Sequence, residues 1–150
     1  MKLEEELKQT RFRDEYHRVM LNIIYTGGWL ELSTAHVLKA YDLSTQQFNV
    51  LRILRGSSPN PLNLLDIQER MMDKMSNATR LVEKLRQKGL LTRHQCDSNR
   101  RKVDIAITAK GLGLLKELDP VMEKNHKHLV KRITKEEATT LSNLLDKLRG

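Results

Sequence analysis

The stretch from Pro61 to Thr108, PLNLLDIQERMMDKMSNATRLVEKLRQKGLLTRHQCDSNRRKVDIAIT, constrains the fold more than any other part of the chain. Leu64, Ile67 and Met71, with Leu65, mark the buried side of a short helix running to Met72. Asn63 is placed to cap it, and Asp66 falls in its first turn, where the helix dipole favours an acid. A tight polar turn follows. Ser76 is a cap residue for a second helix, whose apolar face is Ala78, Leu81, Val82 and Leu85 and which closes on Gly89. Residues Leu90–Cys96 and Lys102–Thr108 then read as two strands. In the second, Val103, Ile105 and Ile107 alternate with Lys102, Asp104 and Ala106, the pattern of a strand buried on one face.

Two helices joined by a tight turn and followed by a hairpin form the plan of a winged helix, which lays its second helix in a DNA major groove. The charge distribution agrees. Between Lys74 and Lys102 lie nine basic residues against Glu83 and Asp97, which gives +7 of the chain's net +8 in 29 of 150 residues. The other 121 residues hold 18 basic and 17 acidic side chains. A positive field concentrated in one segment points to a polyanion partner, double-stranded DNA on the winged-helix plan, the alternative being a winged helix that serves as a protein- or RNA-interaction module without operator specificity.

The remainder of the chain is helical and near neutral. Leu3, Leu7, Phe12, Tyr16, Val19, Met20 and Ile23 recur at helical spacing over residues 3–26. Tyr16, Ile23, Leu30 and Val37 are spaced by seven across the Gly27–Gly28 pair. The spacing predicts one long helix to about Tyr41, kinked or loosened at the glycines. Ser44 or Thr45 caps a further helix, with Phe48, Val50, Leu51 and Leu54 inward, that stops at Gly56. Thr108 starts a long helix to about Leu129 through Leu112, Leu115, Leu118 and Met122, with Pro120 bending it. Thr134 and Glu137 make a capping box for a last helix carrying Leu141, Leu144, Leu145 and Leu148.

Three further properties narrow the class. A single cysteine cannot form an internal disulfide, and no apolar run approaches the roughly 20 residues that span a bilayer. A charged, mixed-sign start is no secretory leader, so a cytoplasmic, nucleoid-associated protein is expected. There is no glycine-rich phosphate loop, no G-x-S-x-G and no activated-cysteine motif, so no enzyme is expected, and no cofactor.

The run NRRKVDIAITAKG resembles the wing signature of MarR-type transcriptional regulators, in which D-R-R is followed by a strand and then L-T-x-x-G. Arg101 to Thr108 keeps the family spacing, and Gly111 falls on the family glycine. LSTQQFNVLRIL, MSNATRLVEKLRQKGLLTR and TKEEATTLSNLLDKL are also similar, so the likeness covers about residues 12–149. Asn99 stands where the family has an aspartate, with Asp97 two residues before it. The N-terminal cysteine of the peroxide-sensing branch is absent. The resemblance implies a mainly α fold with a small β-hairpin wing: a winged helix-turn-helix lobe over 44–110, flanked by dimerisation helices over 1–41 and 111–150. It further implies a homodimer on a pseudo-palindromic operator, commonly a repressor released by a small, often aromatic effector.

On this basis Ser76, Asn77, Thr79 and Arg80 are candidates to meet base edges and phosphates, the bland alternative being a solvated helix face. Lys84 is a candidate for phosphate, as are Arg86 and Lys88. By the resemblance, one of Arg100 and Arg101 enters the minor groove and the other braces the wing, with Arg101 assigned the insertion and Lys102 beside it. Tyr25, Trp29 and His36 are candidates for an effector crevice, although core or dimer contact is the more ordinary use of Tyr25 and Trp29. Cys96, near His94 and with no resolving partner, is ordinarily inert. The five histidines lack H-x-x-x-H spacing, so no metal site is expected.

Overall fold

The computed structural model describes residues 1–96 and 99–150, without the side chains of residues 96, 99–102 and 128–130. Seven helices and one hairpin follow in chain order. They are α1 (Leu3–Leu7), α2 (Glu15–Lys39), α3 (Thr45–Ser57), α4 (Leu64–Arg70), α5 (Ala78–Gln87), β1 (Leu91–Cys96), β2 (Asn99–Ile107), α6 (Ala109–Val130) and α7 (Lys135–Arg149). The chain is thus mainly helical with a two-stranded antiparallel wing, as the sequence predicts.

Reciprocal capping starts three of these helices. Ser44 accepts from the Gln47 N–H while Gln47 Oε1 accepts from the Ser44 N–H. Asn63 and Asp66, and Thr134 and Glu137, do the same. The long N-terminal helix is a correction. It is broken rather than continuous from Leu3, because Lys8 turns left-handed at φ 51° and ends α1. Asp14 then caps α2, accepting from the His17 N–H at 2.7 Å, a bond that holds its carboxyl below the usual carboxylate range. From there α2 runs unbroken through Gly27 and Gly28. Helix α3 likewise passes Gly56 and ends one residue later.

One apolar core joins the elements. Val50, Leu51 and Leu54 of α3 meet Ile67 and Met71 around α4. Val82 and Leu85 of α5, Leu91 and Ile105 of the hairpin, and Leu115 and Leu118 of α6 complete it. One residue assigned inward in the sequence lies outside. Leu65 is 65% exposed, because a helix as short as α4 buries only one stripe, taken by Ile67 and Met71. An Arg55 guanidinium bidentate on Asp119, at 2.8 to 3.1 Å, ties α3 to α6.

The termini differ from this lobe. Tyr16, Val19, Met20, Ile24 and Leu32 of α2 and Leu141, Leu144 and Leu148 of α7 are exposed. Helix α7 buries no side chain among the described residues.

Candidate nucleic-acid interface

Helix α5 is aimed by the elements at its two ends. At its start Asn77, not the predicted Ser76, is the cap: its Oδ1 accepts from the Arg80 N–H at 3.0 Å. Ser76 is drawn one step back, where its hydroxyl donates to Asp73 Oδ2 at 2.7 Å. Asp73 also accepts from the Met75 N–H at 3.0 Å, and these bonds lower its pKa. The turn between the helices is fixed further by Asn49 Oδ1, which accepts from the Met72 N–H at 2.9 Å, and by Gln68 Nε2 donating to the Lys74 carbonyl at 3.0 Å.

At its end α5 closes with Gly89 at φ 72°, a left-handed turn that glycine adopts without strain. The Gly89 N–H donates to the Arg86 carbonyl at 2.9 Å and the Leu90 N–H to Leu85 at 3.0 Å, a Schellman closure. The chain passes directly into β1. In the hairpin Leu91 pairs with Ile107 and Arg93 with Ile105, and the register shifts between Gln95 and Cys96. Strand β2 begins at Asn99, three residues earlier than predicted. Leu62 and Ile105 exchange two main-chain hydrogen bonds, at 2.8 and 2.9 Å, which fasten the wing base to the loop before α4.

The basic side chains separate into committed and free. Glu83 holds Arg86 by two bonds of 2.8 and 3.0 Å, which lower the Glu83 pKa and raise that of Arg86. Lys88 is paired with Asp42 at 2.9 Å, and Lys74 donates to the Glu69 carbonyl. Arg80 and Lys84 are exposed, and their charged groups have no partner among the described residues. Thr79 is exposed beside them. Arg100, Arg101 and Lys102 lie on β2, with side chains outside the described residues, as is that of Cys96. Asp97 lies wholly outside them.

Sequence reasoning missed Met72 and Met75. They stand 88% and 93% exposed in the turn that leads into α5. The signal was present: in MMDKMS only Met71 fits the α4 stripe, which leaves the other two without a core role.

The effector candidates are only partly brought together. Trp29 lines a cavity of about 240 Å3 between α2 and the end of α6, with Ser33, Asn125, His126 and Arg132. The Arg132 guanidinium lies 5.9 Å from the Trp29 ring centre. Tyr25 shares a neighbouring cavity with Trp29 and Arg132, and it donates to Glu6 of α1 at 2.6 Å, which raises the pKa of the phenol. His36 is exposed and lines neither.

Among the described residues no helix is long and apolar enough to cross a membrane, and no cluster of His, Cys, Asp or Glu is placed to hold a metal.

Asn77→Ala tests how far the cap sets the helix. Loss of the Oδ1 acceptor is expected to cost about 0.5–2 kcal/mol in stability, read by denaturant unfolding. An unchanged midpoint contradicts that role.

A buried helix-turn-helix, an outward basic helix and a paired hairpin define a winged helix-turn-helix protein. Comparison places it more closely. Residues 43–103 match the model of the MarR family. PecS, an HTH-type transcriptional regulator of Dickeya dadantii (strain 3937), is 28% identical over 113 residues, covering 75% of this chain and 68% of PecS. A MarR transcription factor from Planctomyces limnophilus superposes with a TM-score of 0.70 at 29% identity, over 91% of this chain and 98% of that one. The segment 43–103 thus carries the MarR-family pattern, and the chain is similar to transcriptional regulators of that family. Bordetella bronchiseptica BpsR, whose DNA binding is regulated by 6-hydroxynicotinic acid, shares the fold with a TM-score of 0.75 at 21% identity, over 93% and 97% of the two chains.

Proposed function

We propose that this regulator binds a pseudo-palindromic operator as a homodimer, represses from it, and is released by a small aromatic ligand. The observation that carries the reading is α5 itself. Its buried side is Ala78, Val82 and Leu85, while Thr79, Arg80 and Lys84 face solvent, and Arg80 and Lys84 have no charge partner among the described residues. An arginine there can donate to both acceptors of a guanine edge, and a lysine can neutralise a phosphate. Ser76 and Asn77 act mainly on geometry, because their side-chain oxygens already hold the turn and the helix start. Met72 and Met75 add apolar contact suited to thymine methyl groups. Arg100, Arg101 and Lys102 on the wing are assigned to the minor groove and backbone by the family likeness.

Dimerisation is assigned to the uncovered apolar faces of α2 and α7. Two copies of α5 related by a twofold axis about 34–36 Å apart would meet successive major grooves. The ligand is assigned to the Trp29 cavity, where a flat ring would stack on the indole and Arg132 would meet an acid group. BpsR, with the same fold, answers to such an aromatic acid.

A titration of operator and scrambled duplexes across salt concentrations tests the division of labour. Lys84→Gln is expected to flatten the plot of log affinity against log salt by about 0.9 per dimer-bound phosphate lost, equally for all sequences. Arg80→Ala is expected to cost about 1–3 kcal/mol on the operator and to relax discrimination at one base pair per half-site. Identical behaviour of the two variants contradicts the assignment, and equal binding of both duplexes contradicts operator recognition altogether.

A further inference from the structure

The six methionines divide sharply by environment. Met71 and Met122 are buried in the core, at 1% and 8% exposure. Met20 is half-exposed on the uncovered face of α2, and Met1 is the first residue of the chain. Met72 and Met75 are almost wholly exposed, and both stand in the turn between α4 and α5. Backbone geometry explains the contrast between neighbours. Helix α4 ends at Met71, whose backbone is extended at φ −65° and ψ 139°. Successive side chains of extended backbone point opposite ways, so burying Met71 turns Met72 outward.

The same turn holds the two exposed side chains in place. The Met72 N–H donates to Asn49 Oδ1 at 2.9 Å, and the Met75 N–H to Asp73 Oδ1 at 3.0 Å. The Ser76 hydroxyl closes the turn a second time on Asp73 Oδ2. With the main chain tethered at both methionines, neither thioether can withdraw without breaking these bonds. A thioether has no proton to lose, so unlike a thiol it needs no activating base. Solvent access then decides which methionine an oxidant reaches.

We infer that Met72 and Met75 form a reversible oxidation site, at which conversion to the sulfoxide by a peroxide lowers DNA affinity. The sulfur lone pair attacks one peroxide oxygen and the O–O bond breaks. Sulfur gives up two electrons and keeps that oxygen, while the other oxygen leaves with the proton as water or an alcohol. Methionine sulfoxide reductases reverse the step, two thiols supplying the electrons and the oxygen leaving as water. The sulfoxide is polar where the thioether is apolar. Beside a thymine methyl it replaces a favourable contact with an unpaired acceptor, and beside a phosphate its oxygen meets like partial charge. The modification follows from exposure alone, whereas its effect on DNA rests on the contact proposed above for this turn.

The test uses the full chain carrying Cys96→Ser, which removes its single thiol, and hydrogen peroxide as the oxidant. Peptide mass mapping over a time course is expected to show an added oxygen on Met72 and Met75 well before Met71 and Met122. Comparable rates at these positions overturn the site. Operator affinity is then measured before and after treatment, each variant against its own untreated form. The Cys96→Ser chain is expected to lose about tenfold, the cost of one mismatched base pair, and to regain it with methionine sulfoxide reductase. Adding Met72→Leu and Met75→Leu is expected to remove that loss, since leucine keeps the apolar bulk and cannot be oxidised. Met72→Gln with Met75→Gln is expected to reproduce it without peroxide. A leucine variant that still loses affinity overturns the effect on DNA and leaves the site standing. So does a loss that accompanies a change in sedimentation, which would lie at Met20. An untreated chain that binds no operator, with the order of oxidation intact, falls on the DNA reading alone.

Discussion

Glutamate at Leu144 and Leu148 is expected to turn the protein into a monomer and to lower its affinity for a two-half-site operator by about 100- to 10,000-fold. Both leucines are exposed, Leu144 at 59%, on a helix that buries nothing among the described residues. Large apolar side chains repeated at helical spacing on a charged, otherwise polar helix are there to meet another apolar surface. The uncovered residues of α2 supply more of the same. Linking two α5 helices converts the second half-site encounter into an intramolecular one, and losing the link forfeits that gain without touching a DNA contact. Sedimentation velocity and a duplex titration measure the two effects together. The idea fails if the double variant remains dimeric, or if a monomeric variant binds the operator as tightly as the parent. A single half-site duplex is the control, since affinity for it should be unaltered.

Gly111→Ala is expected to destabilise the chain by roughly 3 kcal/mol or more, at the upper end of overpacking substitutions. A Cβ at that position would stand 2.3 Å from the Leu90 carbonyl oxygen and 2.7 Å from Ile107 Cγ1. The carbonyl cannot retreat easily, because it accepts the Thr108 N–H at 3.1 Å. The Thr108 hydroxyl meanwhile bridges the Gly89 carbonyl, at 2.8 Å, and the Gly111 N–H, at 3.1 Å. One glycine thus lets the start of α6 lie directly against the root of the wing. Gly113→Ala, with open space at its Cβ, is the matched control and should gain slightly from a better helix former. Denaturant unfolding of the two variants separates the cases, and equal midpoints would refute the steric argument.

The winged lobe was legible because its signals are local. Single cap residues announced α3 and α4, alternation announced β2, and a glycine announced the end of α5, as the Thr134–Glu137 capping box announced α7 outside the lobe. What escaped depends on choices among near equals or on distance in sequence. Ser76 and Asn77 are both good caps, and only the competing claim of Asp73 on the Ser76 hydroxyl decides between them. The break at Lys8 falls in a stretch of mixed charge where the helical spacing of Leu3, Leu7, Phe12 and Tyr16 continues regardless. Leu65 was assigned inward because an apolar residue in a short window satisfies several helical faces at once. Arg86 and Lys88 read as free cations until Glu83 and Asp42 were seen to hold them.

The two hydrogen bonds between Leu62 and Ile105 carry a mechanical consequence. They make the loop before α4 a third rung beside the hairpin, so the wing root cannot swing independently of the helix-turn-helix. If two copies straddle DNA as proposed, a signal that alters their spacing would act on whole lobes rather than by bending a wing within one.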